Sequence, residues 1–142
     1  MAIIQTLTTS FKVEVAQALH NFTTGTGNVF KLALYTANAD LGASTTAYTT
    51  AGEVSGTNYS AGGIVLTNIT PSFQGTTSYW SFQNATFSNV TLTTNGALIY
   101  NSTNGNRSVA VLNFGVNITK SAQDLVITFP VNDATNAVLR IA

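Results

Sequence analysis

"GALIYNSTNGNRSVAVLNFG", residues 96–115, places two apolar runs on either side of Asn104-Gly105. Asn-Gly is the dipeptide that most readily takes the positive φ angles of a hairpin turn. With Ser102, Thr103 and Asn106 beside it, the spacing predicts a loop of about five residues rather than a tight two-residue turn. An antiparallel hairpin therefore anchors the second half of the chain, and the remaining segments must supply what packs around it.

Moving outward, the same kind of run recurs. In "NVFKLALYT" (28–36), Phe30, Leu32 and Leu34 alternate with Lys31, Ala33 and Tyr35, the period of two expected of a half-buried strand. Further runs are "GGIVLTNI" (62–69), "YWSFQNATFSNVTLT" (79–93), "DLVITFP" (124–130) and "NAVLRIA" (136–142). They are short, rich in Val, Ile, Thr, Tyr and Phe, and separated by Gly, Asn, Asp and Pro. Pro130 lacks an N–H and closes the strand Leu125–Phe129, which leaves "VNDAT" as a loop and Val138–Ile141 as a terminal strand. The pattern predicts an all-β fold, an antiparallel β-sandwich of jelly-roll-like kind, in one domain with one short N-terminal helix.

That helix is "TTSFKVEVAQALHNF" (8–22), in which Phe11, Val15, Leu19 and Phe22 form a stripe at intervals of three and four. Ser10 or Thr9 is the expected cap, and residues 10–20 the expected span. Residues 1–9 read as an arm ahead of the domain at 10–142, and Ile3 and Ile4 on a free arm would need a neighbouring subunit to cover them. From Ala37 to Gly63 large apolar residues are sparse. Leu41, Tyr48, Val54 and Tyr59 recur often enough to pin this excursion to the body as an ordered binding or packing loop.

Composition narrows function. Only 7% of the 142 residues are charged, five basic against five acidic, where about 25% is usual. Solubility rests on Thr, Asn and Ser. Lys12, Lys31, Arg107, Lys120 and Arg140 are too few and too scattered for a multi-phosphate footprint, so nucleic acid is not an expected partner. Cysteine is absent, which excludes disulfides and thiolate metal sites. The first twenty residues show neither a basic n-region nor a long apolar run, so the expected product is cytoplasmic, with no membrane partner.

Chemistry finds little purchase. His20, the single histidine, could act as a base only with a carboxylate (Glu14, Asp40, Glu53, Asp124 or Asp133) and a hydroxyl beside it. Its place at the predicted helix end favours a structural role at the terminal carbonyls. Gly25 and Gly27 precede a strand, the reverse of a phosphate-binding loop, and read as a corner. One His, no Cys and dispersed carboxylates predict no metal site and no cofactor, a surface calcium at Asp40 or Asp133 apart. The Asn-x-Ser/Thr sequons follow from an Asn- and Thr-rich composition. Recognition falls to aromatics: Tyr48, Tyr59, Tyr79 and Trp80 are the candidate contact residues, with Trp80 more at home in the core.

Taken together, "HNFTTGTGNVFKLALYT", "TTAYTTAGEVSGTNYSAGGIVLTN", "ALIYNSTNGNRSVAVLNFG" and "ITFPVNDATNAVLRIA" resemble a family of small virion structural proteins of tailed bacteriophages. The likeness runs from about Phe11 to Ala142, with one departure at "NVF", where relatives tend to carry an acidic residue before the strand. The resemblance implies a particle component rather than an enzyme, located in the virion. It would be a capsid decoration or cement protein that binds the major capsid protein or other virion proteins, as a homo-oligomer with a trimer favoured. The alternative it leaves open is a tail or fibre module binding a host surface glycan through Tyr48, Tyr59, Tyr79 and Trp80.

Overall fold

The computed structural model describes residues 2–142, and Met1 lies outside them. Eight strands and one helix follow in order: β1 (Thr6–Leu7), α1 (Thr9–Ala16), β2 (Phe30–Tyr35), β3 (Ile64–Val65), β4 (Asn68–Gln74), β5 (Thr77–Phe82), β6 (Ala85–Asn101), β7 (Arg107–Ile127) and β8 (Leu139–Ile141). They build a five-stranded sheet in the order β1-β7-β6-β2-β3 and a three-stranded sheet β4-β5-β8, antiparallel throughout. The fold is an all-β sandwich with one short helix.

The hairpin at 96–115 is its spine. Asn101 pairs with Arg107 across a five-residue loop, and Gly105 and Asn106 take φ of 66° and 56°. Both strands run on far beyond the apolar stretches that announce them, so that β6 joins two runs across Thr94-Asn95 and β7 takes in the mixed, Asn-, Thr- and Lys-bearing residues 116–123. Opposite Asn95, residues 114–117 bulge out between the pairs Thr94–Ile118 and Gly96–Asn113, with Gly115 at φ 78°. Such bulges let a twisted ribbon follow the curvature of the core without losing its ladder. The run at 79–93 in turn breaks at Gln83-Asn84, where the Asn84 Oδ1 accepts from the Phe129 N–H at 3.0 Å.

β2 shows why the outer face is covered. Phe30, Leu32 and Leu34 point into the main core with Ala97, Ile99, Phe82 and Leu139, while Ala33 and Tyr35 face a second cluster with Leu98, Tyr100, Leu41 and Ile3. The strand is therefore buried on both faces, not half-buried as its alternation predicts. Residues 37–63 provide the cover: the Val54 N–H donates to Leu34 O at 2.9 Å and the Thr36 N–H to Gly52 O at 2.9 Å. At the end of this excursion a Cβ on Gly63 would lie 1.8 Å from Leu32 O, at a φ of 79°. Gly63→Ala is expected to cost about 2–3 kcal/mol, read as a lowered denaturant midpoint with an unchanged slope.

Two expectations about the N-terminus are corrected. The helix stops at Ala16, four residues early, and its cap is Thr8, whose Oγ1 accepts from the Phe11 N–H at 3.4 Å. The chain leaves the helix through Ala18 at φ 60°, where the Ala18 and Leu19 N–H groups turn back to Val15 O and Glu14 O at 3.2 and 3.1 Å, and the Leu19 carbonyl accepts from the Asn104 amide at 2.5 Å. Residues 2–9 form no free arm. Leu41 bonds both Ala2 and Ile4, Asn113 Nδ2 donates to Ile3 O at 3.0 Å, and β1 pairs with β7.

Candidate assembly surface

Two inward-facing polar clusters bring titratable groups together, and each is closed on itself. In the first, Asn101 is fully buried, and its Oδ1 accepts from the Thr103 and Asn104 N–H groups at 3.1 and 3.2 Å. That fixes the amide orientation, so Nδ2 donates to His20 Nδ1 at 3.1 Å and to Asn28 Oδ1 at 3.0 Å. Nδ1 being an acceptor, the ring proton sits on Nε2 and is donated to Glu14 Oε1 at 3.0 Å. Glu14 Oε2 takes a second bond from Arg107 at 2.7 Å. His20 thus holds a carboxylate, as a catalytic base would, yet both ring nitrogens are committed and its side chain is inaccessible. It stands four residues past the helix and ties the corner at 20–28 to the hairpin loop. In that corner a Cβ on Gly27 would fall 2.4 Å from Thr23 O.

The second cluster gathers around Glu53. Tyr48 donates to Oε2 at 2.5 Å, while Tyr59 and the Gly62 N–H donate to Oε1 at 2.7 Å each. Tyr59 also accepts from the Leu34 N–H at 2.9 Å, and Tyr100 donates to Gly62 O at 2.6 Å. Burial pushes the Tyr100 hydroxyl up to about 12, with the Glu53 charge adding to it. Burial first, and the same carboxylate, push Tyr35, Tyr48 and Tyr59 higher still. A hydroxyl whose pKa is raised by folding stabilises the fold fully below its unfolded value near 10, and that stability is lost as pH rises through the folded value. Stability is therefore expected to fall from about pH 10 to pH 12 and beyond. Alkaline unfolding should coincide with tyrosinate absorbance in this cluster, and early titration of all the tyrosines in folded protein would contradict it.

The predicted contact residues are redistributed accordingly. Tyr48 and Tyr59 meet at Glu53, Tyr48 stacked on Tyr100 at 4.8 Å, so their hydroxyls serve the fold. Ile3 is buried against Gly96 and Leu41, the reverse of its expected exposure, whereas Ile4 is 61% exposed. Trp80 and Tyr79 alternate on β5: Trp80 is buried against Phe22 at 5.4 Å, and Tyr79 is half-buried on the opposite face. The hub of the first cluster, Asn101, escaped sequence reading. Its signal was an Asn at the end of an apolar strand just before a Ser-Thr-Asn-Gly turn, a position that favours side chain to backbone bonds.

Among the Thr, Asn and Ser of the surface stand several exposed apolar side chains and open strand edges. Phe73, at the tip of the β4–β5 hairpin, is 75% exposed, and Val116 on the β7 bulge and Val131 after β7 are similarly bare. β4 is an edge strand that tolerates Pro71 through a register shift between Ile69 and Ser72. Among the described residues no three His, Asp or Glu side chains converge as metal ligands. Compared with protein-family models, with curated proteins and with solved structures, the chain matches none.

Proposed function

We propose that the chain is a structural component of a bacteriophage particle, a decoration or cement protein that attaches to the outside of the shell and stabilises it. The observation that carries this reading is the surface. Glu14 and Glu53, two of five carboxylates, are consumed internally, so little charge is left for recognition. Contact falls to strand edges and to exposed apolar tips led by Phe73. Such patches are weak singly, but on a symmetric lattice many copies act together, and each bound copy stabilises the assembled shell by mass action. The resemblance to small virion proteins across residues 11–142 supports the same reading. A glycan site at Tyr48, Tyr59, Tyr79 and Trp80 has less support, since the Tyr48 and Tyr59 hydroxyls bond Glu53 and the Trp80 ring is buried, which leaves the half-buried Tyr79 by itself.

Phe73→Ser tests it. With the ring already in water, the free energy of unfolding is expected to stay within the small range of ordinary surface substitutions, about 0.5 kcal/mol. Occupancy on purified particles, measured by quantitative mass spectrometry at limiting protein, is expected to drop several-fold. Full occupancy by the variant would remove the β4–β5 tip from the contact.

A further inference from the structure

Asn-Gly occurs twice in the chain, at Asn95-Gly96 and at Asn104-Gly105. Glycine puts no side chain over its own nitrogen and tolerates a wide range of backbone angles. That nitrogen can therefore reach the amide carbon of the asparagine before it wherever the backbone is free to turn. The fold gives the two dipeptides opposite surroundings.

Gly96 is buried in the larger sheet, paired with Tyr35 on one side and with Asn113 on the other. A Cβ at this position would lie 2.5 Å from Leu112 O and 2.9 Å from the Ile3 side chain, so the backbone has no room to swing. The Asn95 amide is itself engaged, donating from Nδ2 to Asn117 Oδ1 at 3.0 Å. Ring closure between the two residues requires the ladder to open first.

Gly105 stands at the exposed tip of the 102–106 loop at φ 66°, with no atom within 4 Å of where a Cβ would be. Its N–H donates to no group among the described residues. The backbone ties of Asn104 are long ones: its N–H reaches Asn101 Oδ1 at 3.2 Å, and its carbonyl accepts from the Arg107 N–H at 3.4 Å. We propose that Asn104 is a site of spontaneous deamidation in the folded protein, that Asn95 is spared, and that the modification weakens the tie between the hairpin loop and the chain at Leu19.

The chemistry consumes water alone. Gly105 N attacks Asn104 Cγ, the N–Cγ bond forms and the Cγ–Nδ2 bond breaks, and Nδ2 leaves as ammonia with the proton that Gly105 gives up. Water then adds at one or the other carbonyl carbon of the cyclic imide, breaks its bond to the nitrogen and returns a proton to that nitrogen. Aspartate or isoaspartate remains at 104, and nothing is oxidised or reduced. The consequence follows from the bond the side chain makes. Nδ2 donates to Leu19 O at 2.5 Å, whereas an ionised carboxylate only accepts and sets its charge against that carbonyl. Asn101 Nδ2 also reaches Leu19 O, but at 3.4 Å. Leu19 precedes His20, so the loosened segment is the one that places the buried imidazole. This goes beyond the virion reading and does not depend on it, because it concerns the covalent fate of the chain and not its partner.

The test is peptide mapping by mass spectrometry of the full chain after incubation in mildly alkaline buffer, folded and in urea, with isoaspartate detected by enzymatic methyl transfer. In the folded protein Asn104 is expected to convert at least about tenfold faster than Asn95, whose ring closure waits for local opening. In urea the two are expected to convert at similar rates. Asn104→Asp, which reproduces one product, is expected to unfold at a lower urea concentration than Asn104→Ala, because it opposes Leu19 O and does not merely remove a donor. The site is overturned if Asn104 survives as long as Asn95 in the folded protein, or if both convert only in urea. A rate difference of the same size in urea would overturn it equally, by assigning the selectivity to local sequence. Equal midpoints for Asn104→Asp and Asn104→Ala would overturn the consequence drawn for the loop.

Discussion

Asn101→Ala is expected to lower the free energy of unfolding by about 3–5 kcal/mol, in the range seen when a buried, fully bonded polar network loses a member. The side chain closes the hairpin loop through two backbone N–H groups and orients His20 through Nδ1. Its removal leaves a buried imidazole nitrogen without a donor and leaves the Asn28 carbonyl with a single partner. Asn104→Ala, which deletes one bond to Leu19 O from a half-buried residue, should cost about 1 kcal/mol. Equilibrium urea unfolding of both variants checks the order. Equal and small losses would mean that the network is decoration on a fold held by its core alone.

Deleting residues 1–7 is expected to be worse. Ile3 buries its side chain against Gly96 and Leu41, which contributes roughly 2–3 kcal/mol. Four further ties go with it: the Ala2 and Ile4 bonds to Leu41, the Ile3 carbonyl bond to Asn113 and the pairing of β1 with β7. At about 1 kcal/mol each, the sum reaches the lower end of the stability of an ordinary domain. The truncated chain should therefore fail to give a cooperative melt. A truncated protein that melts as wild type does and loses only its attachment to particles would restore the picture of a free arm.

The contrast between these two regions says what a sequence of this kind reveals. β2 and the apolar halves of the 96–115 hairpin were legible because alternation and Asn-Gly are local signals. The outer lengths of β6 and β7 were not. Thr93, Asn117 and Thr119 sit in a ribbon whose pairing rests on backbone bonds and cross-strand hydroxyl and amide contacts, so their polarity reads as loop. The helix end was illegible for another reason: the left-handed position that closes it is taken by Ala18 and not by the glycine that would announce it. His20 reads from the sequence as a side chain at helix carbonyls, but its partners are Glu14 and Asn101. Tyr48 and Tyr59 looked like contact residues because a carboxylate at Glu53, five and six positions away, leaves no periodic trace.

The central claim, that this domain is built to sit on a shell in many copies, is met most directly by counting them. Purified particles would be digested and the ratio of this chain to the major shell protein measured by mass spectrometry against labelled standards. The account predicts a copy number in simple ratio with the shell subunit. Absence from the particle, or a handful of copies in multiples of three or six as a tail or fibre part would give, contradicts it.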